Sequence, residues 1–584
     1  MFDGQKLIKI LRATFVWSKG FFALLGFLVF INFIILAVIL GGGEGEKKIE
    51  IKDNAVVTYS FKDKLPEAED NLSFNKSIFS DIASFYDLLT ALKSVKEDAR
   101  VKFFVANLKD VDMSYAQVQE LRGMIKDLSA SGKTTIAFAS DFGDGSSSFK
   151  KYYLASSFSQ VYMQPVGAVA VNGIAAEIPF IKTLLDKVGI KPDFLRKGKY
   201  KSFPETFDSE GMSPDARKMM VSIINDISNQ AIDDIAKDRK KTKEDFKTIV
   251  DKGLYSDDEA LKLGLVDKLG YYDDIFSDKS EPIELEDYIA NAKGDKGKLE
   301  KIISFIGGDN KKNKGENKKI ALVIAEGSVV EEGKNSIEAY KIAEDFDDII
   351  KDDKVAAIVL RLDTPGGSPV ASEIIRHAIV KAKAKDKKVV VSMSGVTASG
   401  GYWIASAADK IIAQPATMTG SIGVFGGKLV LKDMWQKLGI NWDEVSFGEN
   451  ARMWSTNKNF TAKEKERYSA IMDNIYNSFI SRVADGRKMS REDVLAVAEG
   501  RVWTGNQAKQ HKLIDGLGGI FEAVKIAKQE AGFKEGEKAE VVMFPKKKSG
   551  IDKIMDMIGK DISAFSGFLT FVQKLQTSMN IELK

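Results

Sequence analysis

The strongest constraint on this chain is a repeat within it. The segment YYLASSFSQVYMQPVGAVAVNGIAAEIPFIKTLLDKVGI, starting at Tyr152, resembles YWIASAADKIIAQPATMTGSIGVFGGKLVLKDMWQKLGI, starting at Tyr402, at a constant offset of 250. Upstream, FFVANLKDVDMSYAQVQEL aligns with IVLRLDTPGGSPVASEI at an offset of 254, and downstream LKLGLVDKLG at 261–270 aligns with KQHKLIDGLG at 509–518 at an offset of 248. The first copy therefore carries four extra residues between Ser140 and Tyr152, a change that belongs in a surface loop. A chain of 584 residues, 44% of them hydrophobic, is long and apolar enough to give each copy its own core.

Each copy alternates short apolar runs with amphipathic stretches. In the second, KVAAIVLRL reads as strand, EIIRHAIVKAKA as helix, KKVVVSMS as strand, GGYWIASAAD as helix and KIIAQ as strand. Strands separated by helical patterns imply crossover connections, mainly parallel sheets and an α/β fold class. The first repeat domain is expected over 50–306 and the second over 320–545, joined by GGDNKKNKGENKK at 307–319, whose composition is that of a flexible linker.

Before the repeats, residues 21–40 (FFALLGFLVFINFIILAVIL) contain no charge. Twenty residues at roughly 1.5 Å each match a hydrocarbon core of about 30 Å, so this segment is expected to span a membrane, with residues 1–20 on the cytoplasmic side. The run ends in LGGGEGEKK rather than in the small residues of a cleavage site, which reads as a retained anchor. Long domains cross membranes largely regardless of charge, which puts the bulk of the chain on the outer face. The tail, 546–584, contains IDKIMDMIGKDISAFSGFLTFVQKL at 551–575, whose apolar residues recur at helical spacing. It fits a helix against a membrane or a partner subunit, or equally a core helix.

Composition removes several chemistries. With no cysteine, thiol nucleophiles, disulfides and thiolate metal sites are excluded. Only two histidines exist, His377 in an amphipathic helical pattern and His511 near a helix end, and both read as surface residues. A Ser-His-Asp triad and a zinc hydrolase are therefore not expected. The net charge is only +3, from 86 basic and 83 acidic residues, so no overall field favours nucleic acid.

Function is read from where the copies differ. The second holds DTPGGSP at 363–369 and SGVTASGGYWIASAAD at 394–409, each directly after a strand. Gly366 and Gly367 leave backbone N–H groups open, and a helix beginning near Gly400 directs free N–H groups beside Ser399. Such rigid donors make an oxyanion hole, each worth about 3 kcal/mol of barrier. Either turn alone is a common loop; their pairing after successive strands points to a site. In the first copy Asp112 and Met113 align with Gly366 and Gly367, and the Ser399 region has become DFGDGSSSFKK. That copy holds instead LRKGKYKSFPETF at 195–207, where Lys201 aligns with Ala451 of the second. Locally this is a basic loop that solvent could cover; the repeat singles it out. A serine needs a base, and a lysine at its ordinary pKa is neutral in only about one molecule in 2,500 at pH 7, so desolvation or nearby cations such as Arg196, Lys197 and Lys199 must depress it.

Taken together, the duplication, DTPGGSPVASE, TASGGYWIASAAD, TGSIG at 419–423 and GKYKS at 198–202 resemble signal peptide peptidase A in its long, tandem-repeat form. The resemblance implies two tandem domains of the fold shared by the Clp protease and crotonase families. It also implies a serine peptidase with a Ser/Lys dyad: Ser399 as nucleophile, Lys201 as general base and acid, Ser421 orienting the lysine, and Gly366, Gly367 and Gly400 as oxyanion donors. No cofactor or metal is implied. The family further implies a homotetramer in the bacterial inner membrane, its catalytic domains on the periplasmic face, digesting signal peptides left after their removal from preproteins. The rival readings are a crotonase-type acyl-CoA enzyme and a non-catalytic envelope scaffold. Because each copy holds half of the site, residues 320–584 alone are expected to fold but to be inactive.

Overall fold

The apolar runs of both copies become strands of parallel sheets, in a computed structural model that describes residues 50–61, 64–67, 82, 84–143, 148–292, 318–537 and 539–545. The expected anchor at 21–40, the tail at 546–584 and all but the last two residues of the linker lie outside the described residues. Among those described, no helix is long and apolar enough to cross a membrane.

The first copy contributes β1 (Ala55–Phe61), β2 (Val101–Leu108), β3 (Thr134–Ala139) and β4 (Gln160–Met163), then β5 (Lys191–Lys197), which leaves their sheet, and β6 (Lys268–Leu269) and β7 (Pro282–Glu284), which complete it. The order is β6-β4-β3-β2-β1-β7, parallel throughout. The second copy contributes β8 (Lys319–Glu326), β9 (Val355–Thr364), β10 (Lys388–Ala398), β11 (Lys410–Ala413), β12 (Met418–Gly420), β13 (Val424–Val430), β14 (Val502–Thr504), β15 (Gly516–Leu517) and β16 (Glu540–Phe544). Its core order, β15-β11-β10-β9-β8-β16, repeats the first sheet strand for strand, so the duplication seen in sequence is one of topology as well. Strand β10 then forks: residues 390–393 pair with β11 and residues 396–398 with β12, which is joined antiparallel by β14.

Strand β9 is buried along almost its whole length and β8 from Ile320 to Val323, as near-continuous apolar runs in parallel sheets are. The crossover helix Pro369–Ala384 starts where the sequence says it should: Ser368 caps it by accepting from Ala371 N, and Pro369 occupies the first turn, where its missing N–H costs nothing. The equivalent helix Tyr115–Ala130 opens with a capping box between Ser114 and Gln117.

The two copies are not separate bodies. Strand β5 of the first pairs antiparallel with β13 of the second from Lys197 opposite Val424 to Lys191 opposite Val430. Arg361, on β9 and only 1% exposed, is held by two carboxylates of the first copy, Glu67 at 2.8 Å and Glu120 at 2.8 Å. The described residues from Ile51 onward accordingly cluster into one unit.

Candidate active site

Two neighbouring strands of the second copy end at the same place. Strand β9 runs into the Pro365–Gly366–Gly367 turn and β10 into Ser399, the residue preceding the helix Gly400–Ala405. Ser399 has φ +54°, a region non-glycine residues rarely enter. Its backbone is held there from both sides, its N–H donating to Gly420 O at 2.9 Å and its carbonyl accepting from Trp403 N at 2.9 Å. Strain fixed in this way is a mark of functional turns.

The glycines expected as donors divide in role. Gly366 N donates to Thr364 Oγ1 at 3.0 Å, so this amide serves the turn and is not free to bind an oxyanion. Its φ of +99° and the absence of a side chain are nonetheless required, since a Cβ would lie 2.6 Å from Gly400 N. Among the described residues the N–H groups of Gly367 and Gly400 donate to nothing, and a Cβ on Gly400 would stand 3.1 Å from Gly367 N. Two adjacent free donors beside Ser399 are therefore Gly367 and Gly400, with Gly366 corrected to a structural part.

Lys201 arrives from the first copy on the loop that follows β5. Its Nζ lies 3.1 Å from Ser399 Oγ, 2.9 Å from Ser421 Oγ and 3.0 Å from Ser421 O. The lysine is 5% exposed and has no carboxylate partner among the described residues, and burial alone pulls its pKa down to about 7. The neighbouring cations expected to assist do not: Arg196 pairs with Glu205, Lys197 with Asp473, and Lys199 lies over the Tyr200 ring. Ser421, at φ +52°, is pinned by its own N–H to Arg501 O at 2.8 Å.

A loop not singled out in the sequence seats the lysine. Glu499 O accepts from Tyr200 N at 2.8 Å, and Gly500 N donates to Ile422 O at 2.7 Å. A Cβ on Gly500, whose φ is +77°, would come within 2.6 Å of Lys201 N, and one on Gly198 within 2.5 Å of Glu499 C. Glycines at 198 and 500 thus let two loops 300 residues apart touch backbone to backbone. Neither periodicity nor the repeat marks residues 498–501, because their partner is supplied only by the fold.

The remaining candidates stay outside the site. His377 is exposed, while His511 is half-buried against Trp503, with ring centroids 4.1 Å apart. Ala451 lies on an exposed stretch. In the first copy Phe149 stands at the position equivalent to Ser399, beside Lys150, Asp110 and Asp112, lining a cavity of about 360 Å³.

Tandem parallel α/β copies that bring a strained serine turn, two open amides and a buried lysine together have the layout of a hydrolase. Comparison with known proteins then makes this specific. The profile of Peptidase family S49 matches residues 128–286 and again 381–534. "Serine protease SPPA, chloroplastic" of Arabidopsis thaliana is 27% identical over 502 residues, covering 83% of this chain and 72% of that protein. "Protease 4" of Salmonella typhi is 30% identical over 489 residues, covering 82% of this chain and 77% of that one. Among solved structures, a ClpP1 mutant from Listeria monocytogenes matches with a TM-score of 0.24 and 16% identity, over 35% of this chain and 94% of its own, a score too low to carry weight. The chain belongs to peptidase family S49, with two tandem S49 domains.

Proposed function

We propose that this serine peptidase is a membrane-bound endopeptidase that works through a Ser399/Lys201 dyad. The observation that carries the reading is the 3.1 Å contact between Lys201 Nζ and Ser399 Oγ, with the lysine buried and without a counter-ion among the described residues. A lysine with its pKa near 7 is neutral in a large fraction of molecules at neutral pH, as a general base must be. Neutral Lys201 takes the Ser399 proton, and the alkoxide attacks a peptide carbonyl. The Gly367 and Gly400 N–H groups receive the oxyanion. The lysine ammonium, held by Ser421 Oγ and O, then protonates the leaving amine, and water attacks the acyl-enzyme.

Apolar peptides, as remnant signal peptides are, suit the exposed aromatic pair Phe203 and Phe425, with centroids 5.3 Å apart on the segments flanking Lys201 and Ser421. The uncharged run at 21–40 supports an anchor in a bacterial inner membrane with the peptidase on its outer face. Assembly with further copies has its own support. By the 250-residue offset, the counterpart of β5 is 441–447, without regular structure and exposed throughout (Val445 and Phe447 fully), and the counterpart of β13 is 174–180. These two are complementary in the manner of β5 and β13, and unpaired among the described residues, so one chain's 441–447 would pair with the next chain's 174–180. Such a head-to-tail contact closes a ring when its rotation allows, and the resemblance to the tandem-repeat peptidases makes four the number of subunits we assign.

A serine-reactive fluorophosphonate probe tests the dyad. Wild type is expected to be labelled at Ser399, Ser399→Ala not at all, and Lys201→Ala to lose peptide hydrolysis while staying folded. Equal labelling of Ser399→Ala and wild type would move the nucleophile away from Ser399, and an unlabelled wild type, where a control peptidase reacts, would favour a scaffold or an acyl-CoA enzyme.

A further inference from the structure

Strand β10 does not run straight to Ser399. Its register with β9 pairs Leu362 with Met393 and then Thr364 with Thr397, so a single residue, Asp363, faces three, Ser394, Gly395 and Val396. This bulge lies at the fork where β10 changes partner from β11 to β12. The direction in which the chain leaves the bulge sets where Ser399 points, because bulges bend strands.

The first copy grips the bulge. Ser394 Oγ donates to Glu67 Oε1, and Arg361 Nη2 donates to Ser394 Oγ at 3.1 Å. Glu67 itself is 2% exposed and is fixed by Arg361 Nε at 2.8 Å and Gln117 Nε2 at 2.8 Å. Gly395 lies so close to Ser114, the cap of the helix Tyr115–Ala130, that a Cβ on it would meet Ser114 Oγ at 2.8 Å. Val396 N donates to Asp363 Oδ1 at 2.7 Å from within the second copy. The residue nearest the fork's start is thus held by a carboxylate that belongs to the other copy.

We propose that Glu67, acting through Ser394 and the bulge at 394–396, is a positioning residue for the nucleophile, so that the first copy aims Ser399 as well as supplying Lys201. The proposal rests on the Ser399/Lys201 reading. The lever is short: three residues of strand span about 10 Å, so a tilt of about 6° at the bulge moves Ser399 by about 1 Å. A displacement of that size is enough to lower a rate on the order of 100-fold.

The test compares Ser394→Ala in the full-length protein with wild type. This change removes the hydroxyl link and leaves Arg361 paired with both carboxylates. Expected are an unchanged KM, a melting temperature close to wild type, and falls of about 10- to 100-fold in both kcat and the rate of fluorophosphonate labelling. Glu67→Gln is the second variant, expected to move kcat and labelling in the same direction at unchanged KM. A wild-type kcat and labelling rate in folded Ser394→Ala, or a loss confined to KM, overturns the positioning role while leaving the dyad intact. Failure of both variants to fold makes the contact structural and also overturns it. An unlabelled wild type removes the nucleophile itself, and this proposal with it.

Discussion

Replacing Lys201 by Met should make the protein more stable while abolishing catalysis, and the gain should depend on pH in a way only a buried base explains. The folded chain binds the Lys201 proton at about 7, the unfolded chain at the ordinary 10.5. Below pH 7 both states are protonated, and burying the ammonium costs folding roughly 5 kcal/mol, at about 1.36 kcal/mol per pH unit between the two values. Between pH 7 and 10.5 the unfolded chain holds more protons than the folded one, so folding releases a proton and wild-type stability rises with pH. Met has no proton to release, and its curve lacks this component. Loss of the contacts to Ser421 costs the variant about 1–3 kcal/mol, but the same amount at every pH. The difference between the proteins should therefore shrink by roughly 4 kcal/mol from pH 6 to pH 10, with the variant's advantage greatest at pH 6. Urea unfolding followed by tryptophan fluorescence at pH 6, 8 and 10 measures it. Curves that differ by a constant across pH would refute the burial of a depressed lysine. In the wild type, kcat/KM should rise as pH passes through about 7, since deprotonation creates the base.

Gly500→Ala should leave far-UV circular dichroism unchanged but lower kcat by about 100-fold, because the new Cβ must push the Lys201 backbone aside from 2.6 Å and about 1 Å of misplacement suffices; an activity within twofold of wild type would show that the clasp does not seat the lysine. Residues 320–584 expressed alone should lack a cooperative melt, contrary to the expectation drawn from sequence. Removing the first copy strips Arg361 of Glu67 and Glu120, and breaking a buried ion pair costs about 3–5 kcal/mol even before the lost β5 pairing is counted. A sharp transition and resistance to protease in that fragment would contradict this.

Much of the site could be read from the chain because its signals are local or repeated. The turns at Gly366–Gly367 and Ser399–Gly400 carry their backbone requirements in their residues, and strand and helix periodicity places each after a strand. Alignment of the copies singled out Lys201 by asking what the first copy had kept. The donor assignment was legible only in part: a glycine-glycine turn announces two open amides, but that Gly366 gives its own to Thr364 Oγ1 depends on a side-chain rotamer.

Residue type, spacing and comparison of one half with the other are enough for the duplication and the α/β class, and they single out Ser399 and Lys201 as candidates. Tertiary structure decided how the halves act as one. It brings Lys201 to Ser399 across 198 residues through β5 and β13, seats it with the Glu499–Gly500 loop, and joins Glu67 to Ser394 across 327. It also lowers the lysine's hold on its proton. The basic loop that carries Lys201 would hold an ordinary ammonium in water, and only the burial created when the second copy closes over it removes the solvent that keeps a lysine protonated.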